Sequence, residues 1–466
     1  MTPHSESARQ WVHVGSGVFA LLLRVLTWWQ AAAVAAFALL FNLLVLPRIG
    51  GRRLYRPIDE ARGFPLGILL YPLSVLLLII VFPSRPDIAA AGWGILALGD
   101  GAATLVGQAI TLNAKRAKTA EKNGFAALAA FAFFRERLPW NRDKSVAGTV
   151  AFVVCGGVGA VALAWWTRPA VTPLPSMTFT IAAPLAAALA AALVETIPIR
   201  LDDNVSVPAT AAVVLWLGSL MSFGSIDATR VAVLAALPCA IGVNTATAWL
   251  GYRARTVTVS GAIGGALVGS IIYAGAGWRA WALLFVTFLT ASVVSRLGLQ
   301  RKVMLGIAED RGGRRGAGNA VANCGVAALA AIAAATTPYT AQAMLALTAA
   351  LTAGGSDTVA SEIGKAFGRS TFLVTSFARV KPGTPGAMSL EGTAAGLVAA
   401  FALGAVGLAL GLIPAAMLLA VVVGATAGAM VESALGATLE GPGILNNDML
   451  NFINTAVAAV VAMAIA

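Results

Sequence analysis

The feature that most constrains the fold is a succession of long apolar segments along the whole chain. A membrane-spanning α-helix needs about 20 predominantly apolar residues, because the hydrocarbon core of a bilayer is about 30 Å thick. By this measure the sequence contains about 14–15 candidate spans. Their approximate centres are Phe19, Phe37, Val75, Ala97, Val154, Leu189, Val213, Ala235, Ala266, Leu284, Ala328, Leu347, Phe401, Leu419 and Val457. We therefore predict an all-α fold in which these helices form a polytopic transmembrane bundle.

The composition supports a membrane protein and argues against a soluble one. Hydrophobic residues make up 59% of the chain and charged residues 11%, and the mean hydropathy is +0.84. Soluble domains average about 45–50% apolar and about 25% charged residues. The formal net charge is +12. Because Lys and Arg accumulate in cytoplasmic loops, this charge indicates topology rather than nucleic-acid binding. We expect the lipid bilayer, and no nucleic acid, as a partner.

The distribution of Lys and Arg predicts the orientation of the bundle. Basic clusters follow the second, fourth and tenth predicted spans, within residues 48–62, 115–144 and 296–315. Smaller basic groups follow the sixth and eighth spans, at Arg200 and at residues 253–255. Loops rich in Lys and Arg stay cytoplasmic, so the N-terminus and the loops after even-numbered spans are predicted to be cytoplasmic. This pattern predicts a multi-pass protein of the cytoplasmic (inner) membrane.

The chain is predicted to contain two membrane domains, residues 1–252 and 253–466. The basic, glycine-containing segment at residues 296–315 is another place where a boundary could fall. However, the apolar segments just before it belong with those that follow it. We therefore place the boundary near residues 252–256.

Charged residues inside apolar sequence indicate where the chemistry lies. Asp100 stands between two glycines in the apolar stretch at residues 92–107, although a carboxylate at the centre of a membrane costs about 2.5–3.5 kcal/mol on insertion scales. Lys144 opens the fifth predicted span, and Glu195 closes the sixth. Further polar residues beside these span ends are Ser145, Asp203 and Asn204. The predicted orientation places all of them on the cytoplasmic side, where they can converge.

The second half of the chain repeats this arrangement. Its polar residues stand at the ends of the later predicted spans, again on the predicted cytoplasmic side. They are Asn319, Asn323, Asp357, Glu362, Lys381, Ser389, Glu391, Glu432, Asn447, Asp448 and Asn451. Active sites in both halves are therefore predicted to face the cytoplasm.

Carboxylates, lysines and glycine-rich turns in this combination suit a site for a nucleotide and Mg²⁺ or a similar divalent cation. Mg²⁺ takes oxygen ligands, commonly one or two carboxylates together with substrate phosphates. Lysines and backbone N–H groups neutralise phosphate charge, and an apolar bundle beside the site suits a lipid substrate. The Walker A pattern is absent, which excludes a P-loop kinase. The HExxH and GxSxG patterns of zinc proteases and α/β-hydrolases are absent as well.

Several stretches of the first half resemble the CTP-dependent lipid-alcohol kinases, the family of phytol kinase and dolichol kinase. The matching stretches are RQWVHVGSG (residues 9–17), YPLSVLLL (71–78), ILALGDGAATLVG (95–107), LPWNRDKSVAGTVAF (138–152) and ETIPIRLDDNVSVP (195–208). The resemblance implies transfer of a phosphoryl group from CTP to the hydroxyl of a long isoprenoid alcohol. It also implies a role for His13, which by itself would be interpreted as a packing residue. An insertion at residues 109–137 departs from the family pattern.

The second half resembles the membrane family that includes plant phytyl-phosphate kinase. The matching stretches are SGAIGGALVGSIIYAGAGWRAW (residues 260–281), RGAGNAVANCGVAAL (315–329), GGSDTVASEIGKAFG (354–368), VKPGTPGAMSLEGTAAG (380–396), ESALGATLE (432–440) and NNDMLNFINT (446–455). Together the two resemblances imply phosphorylation of an isoprenoid alcohol to the monophosphate and then to the diphosphate, a prenyl donor. The alternatives are a transporter or flippase of isoprenoid phosphates and a cytidylyltransferase-like enzyme acting on a lipid phosphate. A transporter places polar residues near the midplane, whereas here they lie on one predicted side.

The candidate site residues fall into three groups, and their spacing does not distinguish a base from a metal ligand. The predicted catalytic residues are Asp100, Lys144, Glu195, Asp357, Glu362, Glu391 and Glu432. The residues predicted to bind nucleotide or phosphate are His13, Gly99, Gly101, Ser145, Asn204, Asn323, Lys381, Ser389, Asn447 and Asn451. The predicted metal ligands are Asp100, Glu195, Asp203, Asp357 and Asp448.

Overall fold

The computed structural model describes residues 6–49, 65–107, 109, 137–138, 141–197, 202–307 and 314–466. Nearly all of these residues are helical, and every predicted span centre lies in a helical segment. Within the described ranges, 9 helices are long and apolar enough to cross a membrane. The predicted all-α, multi-pass membrane fold is confirmed. Most of the predicted insertion (residues 110–136) and of the first basic loop (residues 50–64) lies outside the described residues.

The chain divides into two compact units, Met1–Ser219 and Leu220–Ala466. The division lies one helix before the boundary predicted near residue 252. The helix between the two positions, α8 (Phe223–Arg253), packs within the second unit. There the Thr229 hydroxyl donates to the carbonyl of Ala335 at 2.6 Å.

The N-terminal unit is built from long helices and one small β-hairpin. Its described helices are α1 (Glu6–Ser16, continued by a 3₁₀ segment Gly17–Arg24), α2 (Trp28–Leu40, continued by a π segment Phe41–Val45), α3 (Leu66–Val81), α4 (Pro86–Gly107), α5 (Val146–Ala170), α6 (Met177–Thr196) and α7 (Asp203–Leu220). The hairpin consists of β1 (Arg137–Leu138) and β2 (Asn141–Ser145), which pair antiparallel. This hairpin leads directly into α5.

Helices α4 and α5 pack closely where both contain a π-helical turn. The turn in α4 spans Ile95–Asp100, and the turn in α5 spans Phe152–Gly156. A Cβ atom at Gly156 would lie 3.1 Å from the Cα of Gly99, so the two backbones approach too closely for a larger residue. Small residues allow such contacts between membrane helices, and π turns occur frequently at functional sites.

The C-terminal unit surrounds one central helix. Its described helices are α8, α9 (Val259–Val294), α10 (Leu299–Met304), α11 (Ala317–Thr336), α12 (Thr340–Phe367), α13 (Leu390–Ala409), α14 (Ala415–Glu440) and α15 (Asn447–Ile465). Leu347 and Leu351 of α12 have no exposed surface and lie at the centre of the apolar core with Leu283 and Ile272 of α9. Helix α12 therefore has neighbours on all sides.

Helix α9 is a helical hairpin rather than one straight helix. Gly277 has φ 84° and ψ 171°, which interrupts the helix. Gly261 and Ala291, near opposite ends of α9, line the same cavity, so the two halves fold back on each other. This geometry agrees with the two spans predicted around Ala266 and Leu284.

A small antiparallel sheet connects α12 to α13. Its strands are β3 (Thr371–Leu373), β4 (Arg379–Val380) and β5 (Ala387–Ser389), in the order β4-β3-β5. Ser389 then caps α13, because its hydroxyl accepts the N–H of Gly392 at 3.1 Å. The sheet lies at the end of α12 that carries Asp357 and Lys365.

Candidate functional site

Three carboxylates converge in the N-terminal unit. Asp100 lies at the end of the π turn in α4, Glu195 in the last turn of α6, and Asp203 at the first position of α7. One oxygen from each group lies within 4.8 Å of the others. The sequence-based prediction that these helix ends meet is therefore matched by the geometry.

Lys144 bridges two of these acids. Its Nζ lies 2.6 Å from Glu195 Oε1 and 3.1 Å from Asp203 Oδ2. Burial disfavours the ammonium, but attraction to the Glu195 and Asp203 carboxylates outweighs burial, and the pKa of Lys144 rises above its ordinary value. Lys144 is therefore positively charged at neutral pH.

The donor set of this cluster fits a divalent cation. Carboxylate oxygens are the ligands that Mg²⁺ prefers, and three carboxylates outnumber the single ammonium of Lys144. The neighbouring Asn204 is 5% exposed, and its Oδ1 has no hydrogen-bond partner among the described residues. Its amide nitrogen donates to Asp202 Oδ1 at 2.7 Å. The residues that would hold the metal are Asp100, Glu195 and Asp203.

His13 stands beside Asp100 and is held by an aromatic neighbour. Its Nε2 lies 3.6 Å from Asp100 Oδ2 and 3.0 Å from the carbonyl oxygen of Leu96. The Tyr71 ring contacts the imidazole edge-on, with centroids 4.3 Å apart, and the Tyr71 hydroxyl accepts from Trp93 Nε1 at 2.8 Å. Tyr71 and Trp93 were not predicted as site residues, because aromatic side chains in apolar helices are typical of packing.

The glycines and the serine predicted here have packing and capping contacts. A Cβ atom at Gly99 would lie 2.9 Å from the Phe152 ring, and one at Gly101 would overlap Val14. Ser145 caps α5 by accepting the N–H of Gly148 at 3.1 Å. The backbone on either side of Asp100 is therefore packed too closely for a side chain at Gly99 or Gly101.

A polar cavity of about 270 Å³ lies in the C-terminal unit. It is enclosed by α11, α12, β5, α14, α15 and the turn before β5. The predicted residues that line it are Asn323, Asp357, Ser389, Glu432, Asn447 and Asn451. Arg315 and Lys365 also line it, although neither was among the predicted site residues. The cavity therefore has both cationic and acidic walls.

Asp357 and Glu432 form a pair inside this polar cavity. Their carboxyl groups are in hydrogen-bonding contact with each other. The side-chain amide of the fully buried Asn454 donates to Glu432 Oε2 at 2.8 Å.

Glu362 is not one of the described residues that line the polar cavity. It is 1% exposed, with Oε2 2.5 Å from Lys302 Nζ and Oε1 3.2 Å from Lys365 Nζ. Helical geometry explains the difference, because the five positions from Asp357 to Glu362 turn a helix by roughly 140°, so the two side chains point in different directions. Asp357 and Lys365 face the cavity together, and this spacing could have identified Lys365 from the sequence.

Three other predicted residues lie outside the lining of the polar cavity. Glu391 accepts the backbone N–H of Arg369 at 3.3 Å, and Lys381 is exposed in the turn after β4. Asp448 lies against Gly318, where a Cβ atom would overlap its carboxylate. Asn447 and Asn451, four residues apart on α15, face the cavity instead.

An apolar cavity of about 130 Å³ adjoins the polar one. Its walls come from α8, both halves of α9, α11 and α12. The two cavities have in common the residues Arg315, Asn319, Asn323 and Thr358. A polar compartment with cationic side chains thus lies directly beside an apolar compartment.

The helices and these compartments define a multi-pass integral membrane protein with a polar site beside an apolar cavity. The chain belongs to the family described as integral membrane protein DUF92, which matches residues 242–459. The matched segment lies within the C-terminal unit. No solved structure matches the chain significantly.

Similar proteins occur in a cyanobacterium, a plant and an archaeon. The uncharacterized membrane protein sll0875 of Synechocystis is 41% identical over 202 residues, 43% of this chain and 78% of the relative. Protein VTE6, chloroplastic, of Arabidopsis thaliana is 35% identical over 214 residues, 44% of this chain and 64% of the relative. The uncharacterized membrane protein MJ0933 of Methanocaldococcus jannaschii is 33% identical over 214 residues, 46% of this chain and 87% of the relative.

Proposed function

We propose that this protein is an integral membrane lipid kinase of isoprenoid substrates. In this proposal the C-terminal unit converts an isoprenoid monophosphate to the diphosphate. The N-terminal unit forms the monophosphate from a long-chain alcohol such as phytol or geranylgeraniol, with CTP as the phosphoryl donor. Similarity to Protein VTE6, together with the resemblance of the second half to the plant phytyl-phosphate kinase family, supports the second step.

The observation that carries the proposal is the junction of the polar and apolar cavities. An isoprenoid phosphate has a strongly anionic head on an apolar chain, and the two cavities meet at Arg315. Arginine binds phosphate oxygens through charge-assisted hydrogen bonds. Lys365, on the polar side, supplies a second positive charge for phosphate groups.

In the C-terminal unit, catalysis consists mainly of positioning the two substrates and neutralising their charge, as is usual in phosphoryl transfer. An oxygen of the lipid monophosphate attacks the terminal phosphorus of a nucleoside triphosphate. The bond to the nucleoside diphosphate breaks, and that diphosphate leaves with the electron pair. Lys365 and Arg315 offset the negative charge of the two phosphates as they approach each other.

The N-terminal unit has the groups that phosphorylation of an alcohol requires. A carboxylate of the cluster Asp100, Glu195 and Asp203 accepts the proton as the hydroxyl oxygen bonds to the terminal phosphorus of CTP, and CDP leaves with the electron pair. Asp100, Glu195 and Asp203 would hold Mg²⁺ or a similar divalent cation, which would supply positive charge against the phosphates of CTP. Lys144 holds two of the acids in place. The basic loops of the sequence support a location in the cytoplasmic membrane, with both sites facing the cytoplasm.

The test uses the purified full-length protein, labelled CTP and a panel of isoprenoid alcohols and monophosphates, with the product masses as the readout. A gain of one phosphoryl group at each step is the expected result. Transfer of CMP to the lipid phosphate would identify a cytidylyltransferase-like enzyme. Movement of lipid phosphate across liposome membranes without any new product would identify a transporter or flippase.

Variants that affect one unit separate the two steps. We expect Asp100→Asn to abolish formation of the monophosphate while the monophosphate supplied directly is still converted. We expect Asp357→Asn to have the opposite effect. Equal loss of both steps in either variant would contradict the assignment of one step to each unit.

A further inference from the structure

We propose that the apolar cavity binds the isoprene unit nearest the phosphate of the lipid, and that the remaining chain lies in the bilayer. This inference rests on the proposed function, because it takes the ligand to be an isoprenoid phosphate. It adds a binding site for one part of that ligand. It also predicts which part of the lipid the protein distinguishes.

The volume of the apolar cavity limits what it can contain. The cavity has about 130 Å³, and a cavity of roughly 150 Å³ holds one benzene molecule. A single branched isoprene unit is of similar size, whereas a phytyl or geranylgeranyl chain contains several such units. Since the wall helices belong to a membrane protein, the rest of the chain has an apolar solvent available outside the cavity.

An aromatic wall of defined orientation closes one side of this cavity. Trp281 stacks on Phe285, with ring centroids 5.3 Å apart and planes inclined by 12°. Its indole N–H donates to Asn244 Oδ1 at 2.9 Å. Asn244 is itself 4% exposed and donates to the carbonyl of Ala240 at 2.8 Å. These contacts fix the orientation of the Trp281 ring in the wall of the cavity.

The junction with the polar cavity determines the orientation of the ligand. Asn319 and Asn323, one helical turn apart on α11, line both cavities together with Arg315 and Thr358. A phosphate held at Arg315 places the first carbons of its chain in the apolar cavity. Binding should therefore depend strongly on the size of the first isoprene unit and weakly on the number of units beyond it.

Gly265 provides a direct test of this site. It lines the apolar cavity, and a Cβ atom there meets nothing within 4 Å, so the backbone accepts a side chain at this position and Gly265→Leu should take up space in the cavity. Gly242→Leu is the matched control, because Gly242 is also in a helix with nothing within 4 Å of an added Cβ and is absent from the described linings of both cavities. Both variants are made in the full-length protein.

Two measurements are made on the wild type and both variants. Thermal stabilisation by geranyl, farnesyl and geranylgeranyl monophosphates reports binding, and diphosphate formation reports turnover. We expect the wild type to bind the three lipids within a few-fold of each other. We expect Gly265→Leu to weaken binding and raise KM at least about tenfold, because burial of several carbons is lost, while Gly242→Leu stays at the wild-type values.

The outcomes separate the inference from the proposed function. If Gly265→Leu loses binding of the lipid, the binding site is supported. If no form of the protein makes the diphosphate, the kinase proposal is overturned, whatever the binding result. Turnover that is unchanged in Gly265→Leu overturns the site and leaves the kinase intact. Affinity that rises steeply with each added isoprene unit also overturns the site, because the protein would then contact the distal chain.

Discussion

The Lys302 ammonium lies 2.5 Å from the Glu362 carboxylate, and both side chains are 2% exposed. The same carboxylate contacts Lys365 through its other oxygen at 3.2 Å, and Lys365 lines the polar cavity. Lys302 also donates to the carbonyl of Ser295 at 2.7 Å. Glu362 is therefore a positioning residue: it connects the short helix α10 to α12 and holds a cavity lysine in place.

Removing one partner of this buried ion pair should destabilise the protein strongly. Among the described residues, Lys302→Met leaves Glu362 with the partly exposed Lys365 as its one counter-charge, and breaking a buried pair costs about 3–5 kcal/mol. We expect a clear drop in the thermal unfolding temperature in detergent. The double variant Lys302→Met with Glu362→Leu should regain most of the lost stability, because replacing a whole buried ion pair by apolar residues often leaves the stability unchanged. A double variant no more stable than the single one would contradict this account.

Lys365, rather than Lys381, should be the lysine that binds phosphate in the C-terminal unit. Lys365 lines the polar cavity, whereas Lys381 is exposed outside its lining. Hydrogen bonds to charged groups contribute about 1.5–3 kcal/mol. We therefore expect Lys365→Met to lower kcat/KM for diphosphate formation roughly ten- to hundredfold.

The control for this prediction is Lys381→Met, which removes the same charge. It should retain nearly all activity, and formation of the monophosphate should be unaffected by either variant. Comparable losses of activity in both lysine variants would show that the reaction depends on the total positive charge of this region and not on Lys365 in particular. A loss of activity in Lys381→Met alone would support the prediction made from the sequence, in which Lys381 binds the phosphate.

Binding of Mg²⁺ should require Asp203 and not the adjacent Asp202. Asp203 belongs to the carboxylate cluster, while Asp202 accepts from the backbone N–H of Asn204 at 3.0 Å. A ligand that binds only the folded state raises its stability. We expect Mg²⁺ to raise the unfolding temperature of the wild type and of Asp202→Asn, but not that of Asp203→Asn. Identical responses of the two variants would exclude this metal site.

The hairpin of α9 should require glycine at position 277. Its φ of 84° with ψ of 171° lies in a region that is open essentially to glycine alone, and other residues there cost about 1–3 kcal/mol. We expect Gly277→Ala to lower the unfolding temperature. Gly242→Ala, at a helical position with open space, should leave it unchanged or raise it slightly, because alanine has the higher helix propensity. Equal effects of the two substitutions would show that the backbone at residue 277 can relax.

Span positions and the polar helix ends could be predicted because they depend on local sequence. The length of an apolar segment indicates whether it can cross a bilayer as a helix. Every predicted span centre is helical in the structure. The meeting of Asp100, Glu195 and Asp203 followed from placing their helix ends on one side of the membrane. Residues that act through packed neighbours, such as Tyr71 beside His13, have no comparable signal in a uniformly apolar sequence.

The sequence by itself determined the class of protein, because a chain this apolar satisfies its backbone hydrogen bonds in a bilayer by forming helices. It also determined which polar residues stand at the helix ends. Only the tertiary structure decided that Lys365 lines the polar cavity while Glu362 lies buried against Lys302. It also decided that an apolar cavity lies beside the polar one and shares wall residues with it. The reason is that a helix side chain faces a cavity, a partner or lipid according to how its helix is rotated against its neighbours, and that rotation depends on contacts distant in the chain.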